Sequence, residues 1–180
     1  YPDWELQAPA EKLKIAKDDK LIEHAIWVDT PEALTDLKTK LEHDSVKEVA
    51  MDLEAHSYRC FAGMICLIQI TFLDPETAKP QDYLVDPFPL WKLVHNALAP
   101  TLANPNVVKI FHGADSDVTW LQRDFGIFVV NLFDTGRAAR ALKLPSFGFA
   151  HVLERYVDGA KADKTHQLSD WRQRPLPEAM

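Results

Sequence analysis

Cysteine is scarce in this 180-residue chain: only Cys60 and Cys66 occur, placed around one predicted strand. Two thiols so placed make no disulfide framework, and neither has the Cys-x-x-Cys neighbour that would begin a zinc site. We read both as reduced, which suits a cytosolic or nuclear compartment. Long apolar runs are missing too. No stretch is long enough to span a bilayer, and the first residues lack the basic, apolar and small-residue regions of a signal peptide. Internal repeats and low-complexity linkers are absent, so one domain is expected. Positive charge is short as well, with 20 Lys and Arg against 27 Asp and Glu. An acidic chain argues against a broad nucleic-acid groove, which is usually basic. What is present is apolar: 47% of residues are hydrophobic, enough for a folded core at this length.

The charge is unevenly spread. Residues 1–50 hold 7 basic and 12 acidic side chains, and residues 51–136 hold 5 and 10. Residues 137–180 reverse the sign, with 8 basic and 5 acidic. The acidic start reads as a solvated surface. For the central block another arrangement is open, in which some carboxylates face one another around metal.

Residues 1–25 show little periodicity and are expected to form an extended arm, with Trp4 and Leu6 able to dock. Ile26–Val28 reads as a short strand. Thr30 is then a good N-cap, Pro31 suits the first helical position, and Leu34, Leu37 and Leu41 share one helical face. "VKEVAMDLE", "GMICLIQITF" and "DYLVDP" read as an antiparallel meander. Strand and helix patterns alternate afterwards: a helix over "PLWKLVHNALAPTLAN", a strand at "NVVKIFHG", and a helix at "DSDVTWLQRDFG" closed by Gly126. A strand at "IFVVNLFDT" and helices at "TGRAARALKL" and "FGFAHVLERYV" follow. A meander followed by strand–helix units predicts an α/β fold: a mixed sheet flanked by helices.

Within "VAMDLEAHSYR", Asp52 and Glu54 alternate with the apolar Met51 and Leu53, so both acids point to one face of a strand. Asp115 and Asp117 open a later helix. If the strand ends converge at one rim of the sheet, a third carboxylate joins the pair. Such a cluster calls for a hard cation, Mg²⁺ or Mn²⁺. Plainer roles stand beside this one. Asp52 and Glu54 suit a solvated sheet face, and either helix acid suits an N-cap or first-turn position. Asp117 shares a stripe with Trp120 and Leu121 and leans inward, which leaves Asp115 as the better cap. His112 reads first as a strand-end hydrogen bonder, Asp134 as a cap, and Trp171 and Arg172 as packing and surface.

The segments "MDLEAHSYRCFAGMICLIQI", "FHGADSDVTWLQRDFG", "NLFDT" and "DWRQRPLPEAM" together resemble the DEDD superfamily of 3′–5′ exonucleases. The similarity is greatest to its tyrosine-containing, ribonuclease D-like branch and, within that, to the nuclear exosome exonucleases of the Rrp6 group. It covers nearly the whole chain. The resemblance implies an RNase H-like fold, two divalent ions, and hydrolysis from RNA 3′ ends that releases nucleoside 5′-monophosphates. By position it makes Asp52, Glu54 and Asp117 the catalytic metal ligands. It also places Leu53, His56, His112, Trp171 and Arg172 near substrate, and implies exosome subunits as partners and a nuclear location.

The family's third motif supplies a water-orienting tyrosine and a last aspartate, and it falls after "PLPEAM". Residues 26–180 are therefore expected to be an exonuclease domain cut before that motif, with crippled chemistry. Tyr156, Asp158, Asp163 and Asp170 precede the landmark and do not replace it. A non-catalytic RNA-binding or scaffold module is the alternative. A DNA exonuclease fits "DWRQRPLP" less well. Without the resemblance, a phosphate-accepting receiver-like domain also fits acids at strand ends.

Overall fold

The computed structural model describes residues 25–58 and 61–177, with the backbone of residues 13–14. Most of the expected arm over residues 1–25, and Cys60, lie outside the described residues. Leu13–Lys14 (β1) runs parallel to Val157–Asp158 (β8), pairing Leu13 with Val157.

The predicted meander is β3 (Glu48–His56), β4 (Met64–Leu73) and β5 (Pro80–Val85), antiparallel throughout. β2 (Ile26–Val28) lies parallel to β5 at one edge. β6 (Val108–Phe111) runs parallel to β3, and β7 (Leu132–Asp134) runs parallel to β6 at the other edge. The order is β2-β5-β4-β3-β6-β7. Each parallel step after the meander is made through a helix, as parallel pairs require. α2 (Pro87–Leu102) leads to β6, and α3 (Asp115–Phe125) leads to β7.

Local sequence accounts for the helix starts. In α1 (Pro31–Leu41), Thr30 Oγ1 accepts the Ala33 amide at 3.2 Å, and Pro31 needs no amide partner. Asp86 caps α2 through the Phe88 amide at 3.0 Å. α3 ends at Gly126, whose left-handed φ of 65° suits a residue without a Cβ. α4 (Thr135–Ala141) and α5 (Phe149–Tyr156) complete the set.

One face of the sheet is sealed. Val49, Met51 and Leu53 of β3 share a core with Leu34, Leu37 and Leu41 of α1, with Leu90, Val94 and Leu98 of α2, and with Leu121 and Phe125 of α3. The alternation that buries Met51 and Leu53 turns Asp52 and Glu54 to the opposite face. There a smaller cluster of Cys66, Leu67 and Trp171 forms, flanked by Met64, Leu84, Phe88 and Leu176. A bulge explains why two successive residues of β4 join it. Glu54 pairs with Leu67 and Ala55 with Ile65, so Cys66 has no partner in the register.

The predicted strand at "IFVVNLFDT" is shorter than its pattern. Lys109 of the four-residue β6 pairs with Leu132, so the ladder starts only there. Upstream, the Val130 amide donates to the Leu102 carbonyl at the end of α2.

Candidate active site

The site begins where β3 outruns β6. The two strands pair only over Glu48–Ala50, while β3 continues to His56. The Lys47 carbonyl accepts the Val108 amide, so odd-numbered residues of β3 turn their backbone groups toward β6. The Leu53 amide therefore faces past the end of β6, toward the start of α3. There its backbone hydrogen bond serves the carboxyls of both Asp52 and Asp117. The Leu53 side chain itself is buried in the main core.

Asp117 is only 7% exposed and lies on the inner stripe of α3 with Leu121 and Phe125. Burial pushes its carboxyl up to about 6, and Asp52 pushes the same way. Glu54, half-buried, is raised to about 7, first by burial and then by Asp52 and Asp117. Asp52 is open to solvent on one side. It is raised by burial on the other, with the Leu53 amide and His112 partly offsetting this. Three carboxyls on two elements thus lie within one another's fields.

Asp134 organises the approach. Its carboxylate accepts the amides of Gly113 and Ala114, each at 3.0 Å, and those of Gly136 at 2.8 Å and Arg137 at 3.1 Å. Burial alone would raise this carboxyl, but the four amides outweigh it and hold it below the ordinary carboxylate range. Its capping of α4 agrees with the sequence. Its grip on the turn before α3 joins residues 20 and 21 positions apart, which no local pattern signals.

Asp115 is a correction. It does not cap α3: Ala114 stands at the N-cap with no side-chain bond, and Asp115 pairs with Arg137 at the surface. His112 does bond at a strand end. The Thr135 hydroxyl donates to the Phe111 carbonyl at 3.1 Å, so His112 Nδ1, 2.8 Å from that hydroxyl, is the donor. The ring meets Phe149 edge-on and packs over Gly136, where an added Cβ would lie 3.4 Å from Cε1. His56 is buried, with Nδ1 3.5 Å from Asp170. Arg172 grips Asp170 with two bonds of 2.8 Å and holds that carboxyl well below the usual range. Trp171 is 6% exposed and packs on Cys66 and Leu67. It also lines an open pocket of about 530 Å³ with Trp27, Gln69, Thr71 and Leu84, one strand away from the carboxylates. Arg174, which the sequence did not single out, anchors this segment.

Among the described residues, no group of three or more Asp, Glu, His or Cys side chains is placed to hold a metal ion as the side chains stand. The donor set nevertheless suits a hard divalent cation. It is all carboxylate. Burial first, and neighbouring carboxylates second, raise Glu54 and Asp117, and a cation would offset both.

Comparison with known proteins agrees with the fold and the motifs. The model of a 3′–5′ exonuclease family matches residues 25–180, and the chain belongs to that family. It is 45% identical over 179 residues to the exosome complex component 10 homolog of Caenorhabditis elegans, covering 97% of this chain and 19% of the relative. Against the exosome complex exonuclease RRP6 of Saccharomyces cerevisiae the identity is 45% over 156 residues, covering 86% and 20%. The chain thus spans about a fifth of the curated relatives' length. Among solved structures, the catalytic core of RRP6 from Trypanosoma brucei superposes with a TM-score of 0.80 at 36% identity, covering 99% of this chain and 46% of that one. Escherichia coli RNase D gives 0.71 at 27% identity, covering 86% and 39%. This is an exonuclease domain of the Rrp6 and ribonuclease D type.

Proposed function

We propose that the domain is a divalent-metal-dependent 3′–5′ exoribonuclease that trims RNA 3′ ends to nucleoside 5′-monophosphates. The observation that carries this is that Asp52, Glu54 and Asp117 lie within one another's fields, with the Leu53 amide bonded to Asp52 and Asp117. Asp52, Glu54 and Asp117 would hold two Mg²⁺ or Mn²⁺ ions. When bound, such ions activate a water and stabilise the leaving oxygen of the phosphodiester.

The protein's part is placement. β3 fixes Asp52 and Glu54 on one face, while α3 brings Asp117 to them. The Leu53 amide, with fixed geometry, favours ionised carboxyls against the burial that would neutralise them. Asp134 holds the turn from which α3 starts. His112, with its Nδ1 proton committed to Thr135, keeps Nε2 free of a proton when the ring is neutral, and stands near Asp52. Since the curated relatives bear exosome names, the partners we propose are nuclear exosome subunits and single-stranded RNA, and the location nuclear. No helix among the described residues is long and apolar enough to cross a membrane.

The test is cleavage of a labelled single-stranded RNA by a chain that also carries the third motif. Activity should need Mg²⁺ or Mn²⁺ and a free 3′ end, and Asp52→Asn should remove nearly all of it, since an amide binds these ions poorly. Full activity in excess EDTA, or cutting of circular RNA, would refute the proposal.

A further inference from the structure

Arg174 lies far from the carboxylates in sequence, yet every N–H of its guanidinium is used. Nε donates to Asp86 Oδ2 at 2.5 Å. Nη2 donates to Asp86 Oδ1 at 3.0 Å and to the Cys66 carbonyl at 2.6 Å. Nη1 donates to the carbonyls of Trp171 at 2.9 Å and Gln173 at 2.7 Å. The planar group also lies over Phe88, 4.6 Å from the ring centroid, and 5.9 Å from that of Trp27. Asp86 is itself fixed as the N-cap of α2. A single side chain thus ties the helix start, the 171–174 segment and β4 together.

The carbonyl it holds in β4 belongs to the unpaired residue of the bulge. Cys66 is skipped between the Glu54–Leu67 and Ala55–Ile65 pairs. A bulge bends its strand and re-aims nearby side chains, and here it sits opposite Glu54. Its extra residue has no ladder partner on β3, and its carbonyl accepts from Arg174.

We propose that Arg174 is a positioning residue for the carboxylate site: by fixing the Cys66 carbonyl it sets the bulge, and the bulge sets the direction of Glu54. This rests on Glu54 being a metal ligand, as proposed above. Arginine suits the task because five donors in one rigid plane meet acceptors from four residues. Lysine, a point charge with three donors, does not match them.

The test is Mn²⁺ binding by calorimetry at pH 8 on the 180-residue protein, comparing wild type, Arg174→Lys, Arg174→Ala, Asp52→Asn and the remote core variant Leu41→Ala. The temperature is one at which each protein is folded. Arg174→Lys should weaken Mn²⁺ binding about tenfold or more, the usual size of an effect transmitted through a ligand's support. Leu41→Ala should lose stability but keep its affinity. Hydrogen exchange should quicken at Glu54 and Leu67, the pair beside the bulge, in Arg174→Lys and not in β2. If Arg174→Ala does not fold, Arg174→Lys decides. Affinity unchanged in Arg174→Lys, an equal loss in Leu41→Ala, or unchanged exchange at the bulge overturns the positioning role alone. Wild-type Mn²⁺ binding that Asp52→Asn leaves intact, or no binding at all, overturns the site reading and this inference together.

Discussion

The Asp134 carboxylate accepts the Gly113 amide at 3.0 Å, joining the end of β7 to the turn that launches α3. Gly113 adopts φ of 71°, a left-handed conformation that glycine accepts without strain. The same carboxylate caps α4, so one side chain sets the start of two helices.

Asp134→Ala should therefore do more than remove a cap. A lost cap costs about 1 kcal/mol, and buried amides left without an acceptor add roughly 1–3 kcal/mol. The expected loss is about 3 kcal/mol in denaturant unfolding, and metal affinity should fall with it because Asp117 hangs from this turn. Asp134→Asn, which keeps one oxygen acceptor, should fall between the two proteins.

Glu54 sets a pH dependence in metal-free protein. Its ordinary value of 4.5 is raised to about 7 in the fold by burial, Asp52 and Asp117. Between those values the unfolded chain has released a proton that the folded chain keeps. Stability from this group is full at low pH and is lost as pH rises through that window. Asp117, raised from 3.8 to about 6, adds the same sign. Discounting for partial exposure, the Glu54 effect is on the order of 2 kcal/mol. Chemical denaturation in EDTA at pH 5 and pH 8 checks it. Glu54→Gln should flatten the fall, and saturating Mg²⁺ should oppose it by binding the ionised site.

Lys109 makes a stability prediction away from the site. It is fully buried in β6, where Nζ donates to the carbonyls of Asn104 at 2.6 Å and Val107 at 2.7 Å. Burial lowers its pKa, yet the ammonium closes the turn after α2. Lys109→Leu should cost about 2 kcal/mol by leaving those carbonyls short of a donor, measured by thermal unfolding. Mn²⁺ affinity per folded molecule should not change.

Much of this architecture was legible in the sequence. Alternation placed Asp52 and Glu54 on one face, and the helical stripe chose Asp117 over Asp115. Thr30, Asp134 and Gly126 act as the helix signals they resemble. Interactions assembled from distant segments were not legible. Asp115 looked like a cap because caps are local, but the acid that steadies the start of α3 comes from β7. "DWRQRPLP" drew attention to Trp171 and Arg172, yet Arg174 is the residue whose acceptors lie on Cys66, Asp86, Trp171 and Gln173. Likewise, the apolar run 127–133 gave no sign that β6 would be too short to pair with all of it.

The neighbouring acids of α3 offer the most direct test of the carboxylate site. Asp117 is buried and lies beside Asp52 and Glu54, whereas Asp115, two residues away, is exposed and pairs with Arg137. Mn²⁺ titration of Asp117→Asn and Asp115→Asn separates them with the same chemical change. Asp117→Asn should lose at least about tenfold in affinity, as removal of an anionic ligand requires, while Asp115→Asn should bind as wild type. Equal affinities for the two variants, or a greater loss in Asp115→Asn, would contradict this site assignment.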